Sequence, residues 1–174
     1  VNLIESNITL GLQILEGLNQ VGCGCFINTG SFWQHYDGTK AYYPTSLYSA
    51  TKQAFQDILS YYSRVLKIPT CTLILYDVYG TNDQRKRILS LIIDAYKSKI
   101  TLQMSAGEQQ LNLVYIDDVV RAFRCASDLL LNGSESAVGK TYYICHNKSY
   151  KLRDVVKTVE QCIGAKVSVL WGAR

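Results

Sequence analysis

Proline, methionine and histidine are scarce in this chain, with two, one and two residues respectively among 174. Two prolines and 12 glycines leave little room for a flexible linker, and no repeat or low-complexity tract is present. No apolar run approaches the roughly 18 residues that a membrane-spanning helix needs, and no signal peptide is visible, so we expect no membrane partner. With 48% apolar and 18% charged residues, the composition excludes a disordered tail, a collagen-like repeat and a coiled coil.

Positive charge is in slight excess but is not concentrated. Eighteen basic and 14 acidic residues give a formal net charge of +4, and the one dense basic cluster is Arg85-Lys86-Arg87. A nucleic-acid-binding surface gathers its basic side chains on one stripe, which these scattered residues do not form. We therefore expect no nucleic-acid partner, and the sign of the charge suits anionic small molecules.

Six cysteines are spread through apolar contexts. Cys23 and Cys25 are the only close pair, and a single residue between two cysteines is a poor start for a zinc site. Neither His35 nor His146 lies near them in sequence, so we expect no metal. Buried free thiols are typical of a reducing compartment, which predicts a cytoplasmic protein.

Apolar periodicities of helix and strand alternate along the chain. Helices are predicted over 3–18, 47–65, 88–95, 119–130 and 152–163, and strands over 25–28, 70–75, 100–104, 111–116, 142–145 and 166–170, with an irregular loop over 29–45. Helix starts are predicted at Ser46, at Asp117 or Asp118 and at Ser149, with a helix end at Gly164. This alternation predicts an α/β fold with a parallel sheet.

Tyr48 and Lys52 are the strongest candidates for chemistry. Four residues apart on a helix, they share one face. A free phenol titrates near pH ~10, and a cation within roughly 4–6 Å lowers that pKa, which makes Tyr48 a candidate proton donor or acceptor. The same spacing also arises by chance, since the chain has 13 tyrosines.

Ser31 follows the strand predicted over 25–28. A hydroxyl just past the carboxyl end of a strand lies where α/β sheets bind ligands, so Ser31 is a candidate to orient a reacting hydroxyl. An ordinary turn serine is the alternative interpretation.

These residues occur in an order that resembles the extended short-chain dehydrogenase/reductase family. Ser31, Tyr48-x-x-x-Lys52 and Leu75-Tyr76-Asp77-Val78-Tyr79-Gly80 resemble, more narrowly, the NAD-dependent sugar-nucleotide epimerases and dehydratases. Further similar segments are Asn7-Ile8-Thr9, Gly107 with 114–119, and 140–144 with the helix over 151–163, so the resemblance covers nearly the whole chain. The segments 83–85 and 105–109 are similar to the branch that makes CDP-linked 3,6-dideoxyhexoses, of the abequose-synthase type.

The resemblance implies a fold and partners. Residues 1–80 would be the later part of a Rossmann-type parallel sheet with the catalytic strand and helix. Residues 81–174 would be mainly a small α/β substrate-binding part, with some strands and helices returning to the Rossmann sheet. It also implies NAD or NADP as cofactor, a nucleotide-diphosphate sugar as substrate, and a homodimer through the helices of 3–18 and 47–65.

The resemblance also implies roles for single residues. Tyr48 would move the proton, Lys52 would lower the pKa of that phenol and hold the cofactor ribose, and Ser31 would orient the substrate. The implied cofactor-binding residues are Thr29, Tyr48, Lys52 and Tyr76, and the implied substrate-binding residues are Ser31, Asp77, Arg85 and Arg174.

Three departures from the family separate two hypotheses. The family usually carries asparagine where Asp77 stands and arginine-aspartate where Leu111-Asn112 stand. The Gly-rich turn that lets a cofactor pyrophosphate approach a helix is missing, so we expect the chain to be truncated at both ends relative to the family. The first hypothesis is an enzyme that epimerises, dehydrates or keto-reduces a sugar nucleotide. The second is a non-catalytic binding or regulatory protein, or an inactive fragment.

Overall fold

Two compact units make up the structure. The computed structural model describes residues 2–22, 24–35 and 42–173. Unit 1 consists of Val1–Tyr76 and Asp117–Ile144, and unit 2 consists of Asp77–Ile116 and Cys145–Arg174. Each unit is therefore built from two separate stretches of chain.

Helices and strands alternate through the described residues. In chain order they are α1 (Leu10–Val21), β1 (Phe26–Ser31), α2 (Leu47–Arg64), β2 (Thr70–Leu75), β3 (Asp77–Tyr79), α3 (Ile88–Ser98), β4 (Leu102–Met104), β5 (Gln110–Leu111), β6 (Leu113–Tyr115), α4 (Ile116–Leu131), β7 (Lys140–Ile144), β8 (Tyr150–Lys151), α5 (Leu152–Ile163) and β9 (Val169–Trp171). A π-helical turn, Glu5–Thr9, precedes α1, and a 3-10 turn, Phe32–Gln34, follows β1. In the part of the chain that the structure describes, no helix is long and apolar enough to cross a bilayer.

Unit 1 contains a three-stranded parallel sheet with β2 between β1 and β7. The register pairs Ser31 with Leu75 and Leu75 with Ile144, so the three strands end level with one another. The central strand is buried along most of its length, which is why its sequence reads as an uninterrupted run of β-branched and apolar residues. The predicted α/β fold with a parallel sheet is confirmed.

Two apolar clusters stabilise unit 1. One holds the π-turn, α1 and α2 together, and the other packs α4 beside β2. The first is formed by Leu15, Phe55, Leu59, Tyr62 and Ile68, and the second by Cys71, Leu73, Ala126, Leu130 and Ala137. The helices of unit 1 therefore bury apolar side chains against one another and against the sheet.

Unit 2 is made of short strand pairs packed with α3 and α5. β3 pairs with β6 and β4 with β9 in parallel, whereas β5 pairs with β8 in antiparallel orientation. Its core is formed by Ile92, Ala95, Met104, Leu152, Val156 and Val167. The predicted strand over 111–116 is wrong in detail. Asn112 interrupts the predicted strand and lies between β5 and β6. Its side-chain amide forms hydrogen bonds with the backbone of His146, after β7.

Two of the predicted helix ends are confirmed. Ser46 caps α2, since its Oγ accepts a hydrogen bond from the backbone N–H of Ser49 at 3.2 Å. Gly164 ends α5 in the left-handed conformation, with φ of 67°. Glycine adopts this backbone geometry without steric penalty.

The other predicted helix starts are wrong. α4 begins at Ile116, so Asp117 and Asp118 lie inside its first turn, where carboxylates stabilise the helix dipole without capping it. Ser149 does not cap α5, which begins after Lys151. The Ser149 hydroxyl instead accepts a hydrogen bond from the Asn112 amide at 3.3 Å. The loop predicted from residue 29 also starts later, because Thr29 to Ser31 continue β1.

Candidate active site

Ser31 lies at the carboxyl end of β1, in a buried position. Its hydroxyl oxygen accepts a hydrogen bond from the Trp33 backbone N–H at 3.4 Å, which starts the 3-10 turn. Its own backbone N–H donates to the Gln34 side-chain oxygen at 2.8 Å. Both bonds fix the backbone around Ser31 immediately after the strand ends.

Tyr48 and Lys52 lie in the first two turns of α2. The Lys52 Nζ atom is 5.9 Å from the centre of the Tyr48 ring, within the range of a cation–π contact. The same ammonium donates a hydrogen bond to the backbone carbonyl of Thr29 at 3.1 Å. Lys52 therefore contacts both Tyr48 and Thr29. Thr29 precedes Ser31 by two residues along β1.

The two candidate catalytic side chains, Tyr48 and Lys52, differ in their burial. Tyr48 is 39% exposed. Lys52 is partly buried, and removal of the ammonium from water lowers the pKa of Lys52 below its ordinary value. The carbonyl of Thr29 partly compensates the charge, since it accepts one of the three ammonium hydrogens.

Tyr76 follows β2 at the same edge of the sheet. Its ring stacks on Phe32, with ring centres 5.2 Å apart and planes 15° apart. Its backbone N–H donates to the carbonyl of Ile144 at 3.4 Å, which places the residue level with the ends of β2 and β7. Sequence reasoning missed Phe32, although an aromatic residue directly after the strand-end serine was a usable signal.

Asp77 belongs to unit 2, in β3. Its backbone N–H donates to the Asn112 carbonyl at 3.1 Å, and its carboxyl group is partly buried. Burial raises the pKa of Asp77, and the positive charge of Arg87 opposes that shift only in part. Asp77 is thus an acid whose ionised form is disfavoured by its surroundings.

Arg85 is engaged by a carboxylate two residues before it. Its guanidinium donates to both oxygens of Asp83, at 2.7 and 2.8 Å, and to the Val78 carbonyl at 3.4 Å. The Arg85 guanidinium holds the pKa of Asp83 at about 2. Arg85 therefore faces solvent as half of an ion pair. Arg174 lies outside the described residues.

Leu111 and Asn112, where the sequence departs from the family, have structural contacts in unit 2. Leu111 packs against the core of the unit. Asn112 donates to the carbonyl of His146 at 2.9 Å, and the backbone N–H of His146 donates back to the Asn112 side-chain oxygen at 2.7 Å. This two-bond clamp fixes the segment before β8. Among the described residues, no three His, Cys, Asp or Glu side chains are grouped to hold a metal ion.

Comparison with protein families gives one match that covers most of the chain. The model of the NAD dependent epimerase/dehydratase family matches residues 1–145. CDP-abequose synthase of Yersinia pseudotuberculosis is 42% identical over 122 residues, which are 70% of this chain and 43% of that protein. A dTDP-glucose 4,6-dehydratase of Escherichia coli is 28% identical over 134 residues, which are 76% of this chain and 36% of that protein. The chain thus spans less than half the length of these relatives.

Solved structures share the fold. UDP-glucuronic acid 4-epimerase from Bacillus cereus, in complex with UDP-glucuronic acid and NAD, superposes with a TM-score of 0.82 at 20% sequence identity. The superposition covers 97% of this chain and 55% of that chain. At this identity the likeness establishes the α/β architecture.

Proposed function

Because this chain belongs to the NAD dependent epimerase/dehydratase family, we propose that the protein is an enzyme that epimerises, dehydrates or keto-reduces a nucleotide-diphosphate sugar with NAD or NADP. The observation that carries this proposal is the pairing of Tyr48 and Lys52 on α2, with Lys52 bonded to Thr29 near the carboxyl end of β1. That edge of a parallel sheet is where α/β proteins bind nucleotides.

Tyr48 moves the proton in the proposed reaction. The Lys52 ammonium lies one helical turn further along α2, with its Nζ atom 5.9 Å from the centre of the Tyr48 ring. The Tyr48 oxygen would accept a proton from a sugar hydroxyl when the carbon is oxidised. It returns a proton to the keto oxygen when the carbon is reduced.

Ser31 orients the reacting sugar oxygen. Its position at the end of β1 puts its hydroxyl two residues beyond the carbonyl that Lys52 binds. A serine hydroxyl that accepts one hydrogen bond still has its own O–H to donate to a ligand. Ser31 would therefore hold the substrate oxygen, and Tyr48 would exchange its proton.

The residues at this edge fit a nicotinamide cofactor. Lys52 and Tyr48 would hold ribose hydroxyls, and the Thr29 carbonyl would fix the Lys52 side chain. Tyr76, braced by its stack on Phe32, would offer an aromatic face. When bound, the nicotinamide supplies hydride transfer. The contribution of the chain itself is to bind, to orient and to move the proton at the Tyr48 hydroxyl.

We propose Asp77 and Arg85 as further residues that contact the diphosphate-sugar substrate. A CDP-linked deoxyhexose is the favoured class, since the relative at 42% identity is a CDP-abequose synthase. Arg85 is the cationic candidate, although Asp83 neutralises it in the present arrangement. Asp77 receives a diphosphate best when protonated, and its raised pKa favours that form.

A homodimer in the cytoplasm completes the proposal. Apolar side chains on α1 and α2 remain exposed, which suits a helical interface with a second copy. They are Leu10, Ile14, Leu47 and Tyr61, with Val65 directly after the end of α2. The five described cysteines are free thiols, as a reducing compartment would keep them.

A substrate screen tests the proposed activity. The purified protein is incubated with CDP-, UDP- and dTDP-linked hexoses and with NAD(H) or NADP(H), and nicotinamide absorbance and sugar products are followed. Net oxidation of the reduced cofactor indicates keto-reduction, and sugar conversion without it indicates epimerisation or dehydration. Calorimetric binding of these molecules without any turnover would instead support the non-catalytic binding protein.

A further inference from the structure

Gln34 is a fully buried polar residue three positions after Ser31. Its side chain is 0% exposed, in a turn whose neighbour Trp33 is 41% exposed. A buried amide without hydrogen bonds destabilises a fold, so the partners of Gln34 decide what it does.

The Gln34 amide is bonded at both ends. Its Oε1 accepts the backbone N–H of Ser31 at 2.8 Å. Its Nε2 donates to the side-chain oxygens of Gln53 at 2.8 Å and Gln56 at 3.0 Å. The reversed amide orientation would set a donor against the N–H of Ser31 and an acceptor against two oxygens. The network therefore permits one orientation.

The two acceptors are themselves held in place. Gln53 donates from its Nε2 to Asp57 one turn further along α2, at 2.8 Å. Gln56 donates from its Nε2 to the Thr141 hydroxyl of β7 at 3.2 Å. Gln34 is thus linked through α2 to the far strand of the sheet.

These bonds connect the strand end to the helix that carries the candidate acid and base. Gln53 follows Lys52 directly, and Gln56 lies one turn beyond Lys52 on α2. A glutamine that only capped the 3-10 turn would need its oxygen alone and would tolerate solvent around its NH₂ group. Here the NH₂ group is buried against α2.

We propose that Gln34 is a positioning residue that fixes Ser31 relative to Tyr48 by tying the Ser31 backbone to α2. Close packing of the amide on β1 adds to this role. A Cβ on Gly30 would lie 2.8 Å from the Gln34 Oε1 atom, so the amide lies against the strand backbone itself. The catalytic part of this inference rests on the proposed function.

Gln34→Met is the variant that tests the inference, because methionine keeps the length of glutamine and loses its hydrogen bonds. Amide hydrogen exchange is measured at Ser31 and, as an internal reference, at Leu73 in β2. We expect exchange at Ser31 to accelerate at least tenfold while exchange at Leu73 changes little. Equal acceleration at both amides, or none at Ser31, would overturn the positioning role.

Kinetics test the catalytic part in a double-mutant cycle. We expect Gln34→Met to lower kcat about tenfold with little change in KM, since sub-ångström displacement of a catalytic group lowers the rate of the chemical step. In a Ser31→Ala background the same substitution should have no further effect on kcat. Additive losses in kcat would show that Gln34 acts independently of Ser31 and would overturn the inference.

Two further variants serve as a control and as a second test of the positioning role. Gln103→Met, at an exposed position in β4, controls for the general effect of replacing glutamine. Gln56→Met removes one of the two α2 partners and should give a smaller effect in the same direction, even where Gln34→Met folds poorly. If the protein is active and Ser31→Ala leaves its kcat unchanged, the proposed function is contradicted. Hydrogen exchange at Ser31 still tests whether Gln34 fixes the Ser31 backbone.

Discussion

The Lys52 ammonium and the Thr29 carbonyl form a 3.1 Å hydrogen bond that joins α2 to the end of β1. Tyr48 precedes Lys52 by one helical turn, so the bond joins to β1 the part of α2 that carries Tyr48. Replacement of Lys52 should therefore affect chemistry more than folding.

For Lys52→Met we expect kcat/KM to fall about 100-fold or more, because the cation beside Tyr48 is lost. Burial lowers the pKa of Lys52, so its charged form is disfavoured in the fold below that pKa and the disadvantage disappears as pH rises toward the unfolded value. The unfolding free energy at neutral pH should thus stay within about 1 kcal/mol of the wild type. Lys97→Met, at an exposed site on α3, is the control. A large stability loss with unchanged kinetics would contradict the assignment.

Tyr48→Phe removes the proposed proton-transfer hydroxyl and keeps the ring. Turnover of the complete protein should fall by about 10²- to 10⁴-fold. NAD binding, measured by calorimetry, should be largely retained, because Lys52 still holds the ribose. Tyr96→Phe is a matched control, since Tyr96 is 40% exposed and Tyr48 is 39% exposed. Near-normal turnover by Tyr48→Phe would remove Tyr48 from the mechanism.

Asp77→Asn restores the amide that the family usually carries. Burial raises the pKa of Asp77, so its carboxylate destabilises the fold above that pKa and the penalty disappears as pH falls. We expect the variant to be more stable than the wild type at neutral pH and equally stable in acid, in denaturant titrations. Binding of a sugar nucleotide should tighten about fivefold at neutral pH, because one like charge near the diphosphate is removed. Weaker binding would show that Asp77 contributes a favourable contact.

Tyr62 and Glu16 give a pH-dependent contribution to stability. The Tyr62 hydroxyl donates to the Glu16 carboxylate, and this bond, with burial, raises the pKa of Tyr62 from 10.0 to about 12. The stabilisation is therefore fully present below pH 10 and is lost as pH rises toward about 12. Tyr62→Phe should lower the unfolding free energy by about 1 kcal/mol at pH 7. Ultraviolet titration of Tyr62→Phe should lose a tyrosine that titrates near pH 12, which Tyr96→Phe should retain.

Gly30 and Gly17 should respond to alanine in opposite directions. A Cβ on Gly30 would lie 2.3 Å from the Ile74 Cδ1 atom in the buried sheet, so Gly30→Ala should destabilise the fold by about 1–3 kcal/mol. A Cβ on Gly17, inside α1, meets nothing within 4 Å. Gly17→Ala should stabilise by about 0.5–1 kcal/mol through lower chain entropy in the unfolded state. Thermal melts of both variants give the comparison.

Local patterns sufficed for the parts of the fold that local physics determines. The strand over 70–75 was predicted to the residue because a buried central strand reads as a continuous apolar run. Ser46 and Gly164 were predicted because capping depends on neighbours within one turn. Ser149 failed as a cap because a distant residue, Asn112, binds its hydroxyl.

The placement of Tyr48 and Lys52 on one helix face was predictable from the sequence, but the contacts of Lys52 were not. The spacing of Tyr48 and Lys52 marked one helix face, and the structure adds the bond to Thr29 that no spacing reveals. Gln34 gave no signal, since its partners lie 19 and 22 residues away and look like surface glutamines. Arg85 was predicted to bind the substrate, but its ion pair with the Asp83 carboxylate was not predicted. The catalytic, cofactor and dimer assignments stay predictions.

The interleaving of the two units constrains how the gene can be dissected. The backbone crosses from one unit to the other after Tyr76, Ile116 and Ile144. A truncation after Ile116 leaves both units short of a segment, whereas 1–144 or 77–174 holds one whole unit together with a segment of the other. Neither unit can therefore be expressed alone from one uninterrupted coding stretch. To produce unit 1 alone, an engineer would have to delete 77–116 and join 1–76 to 117–144 through a new linker.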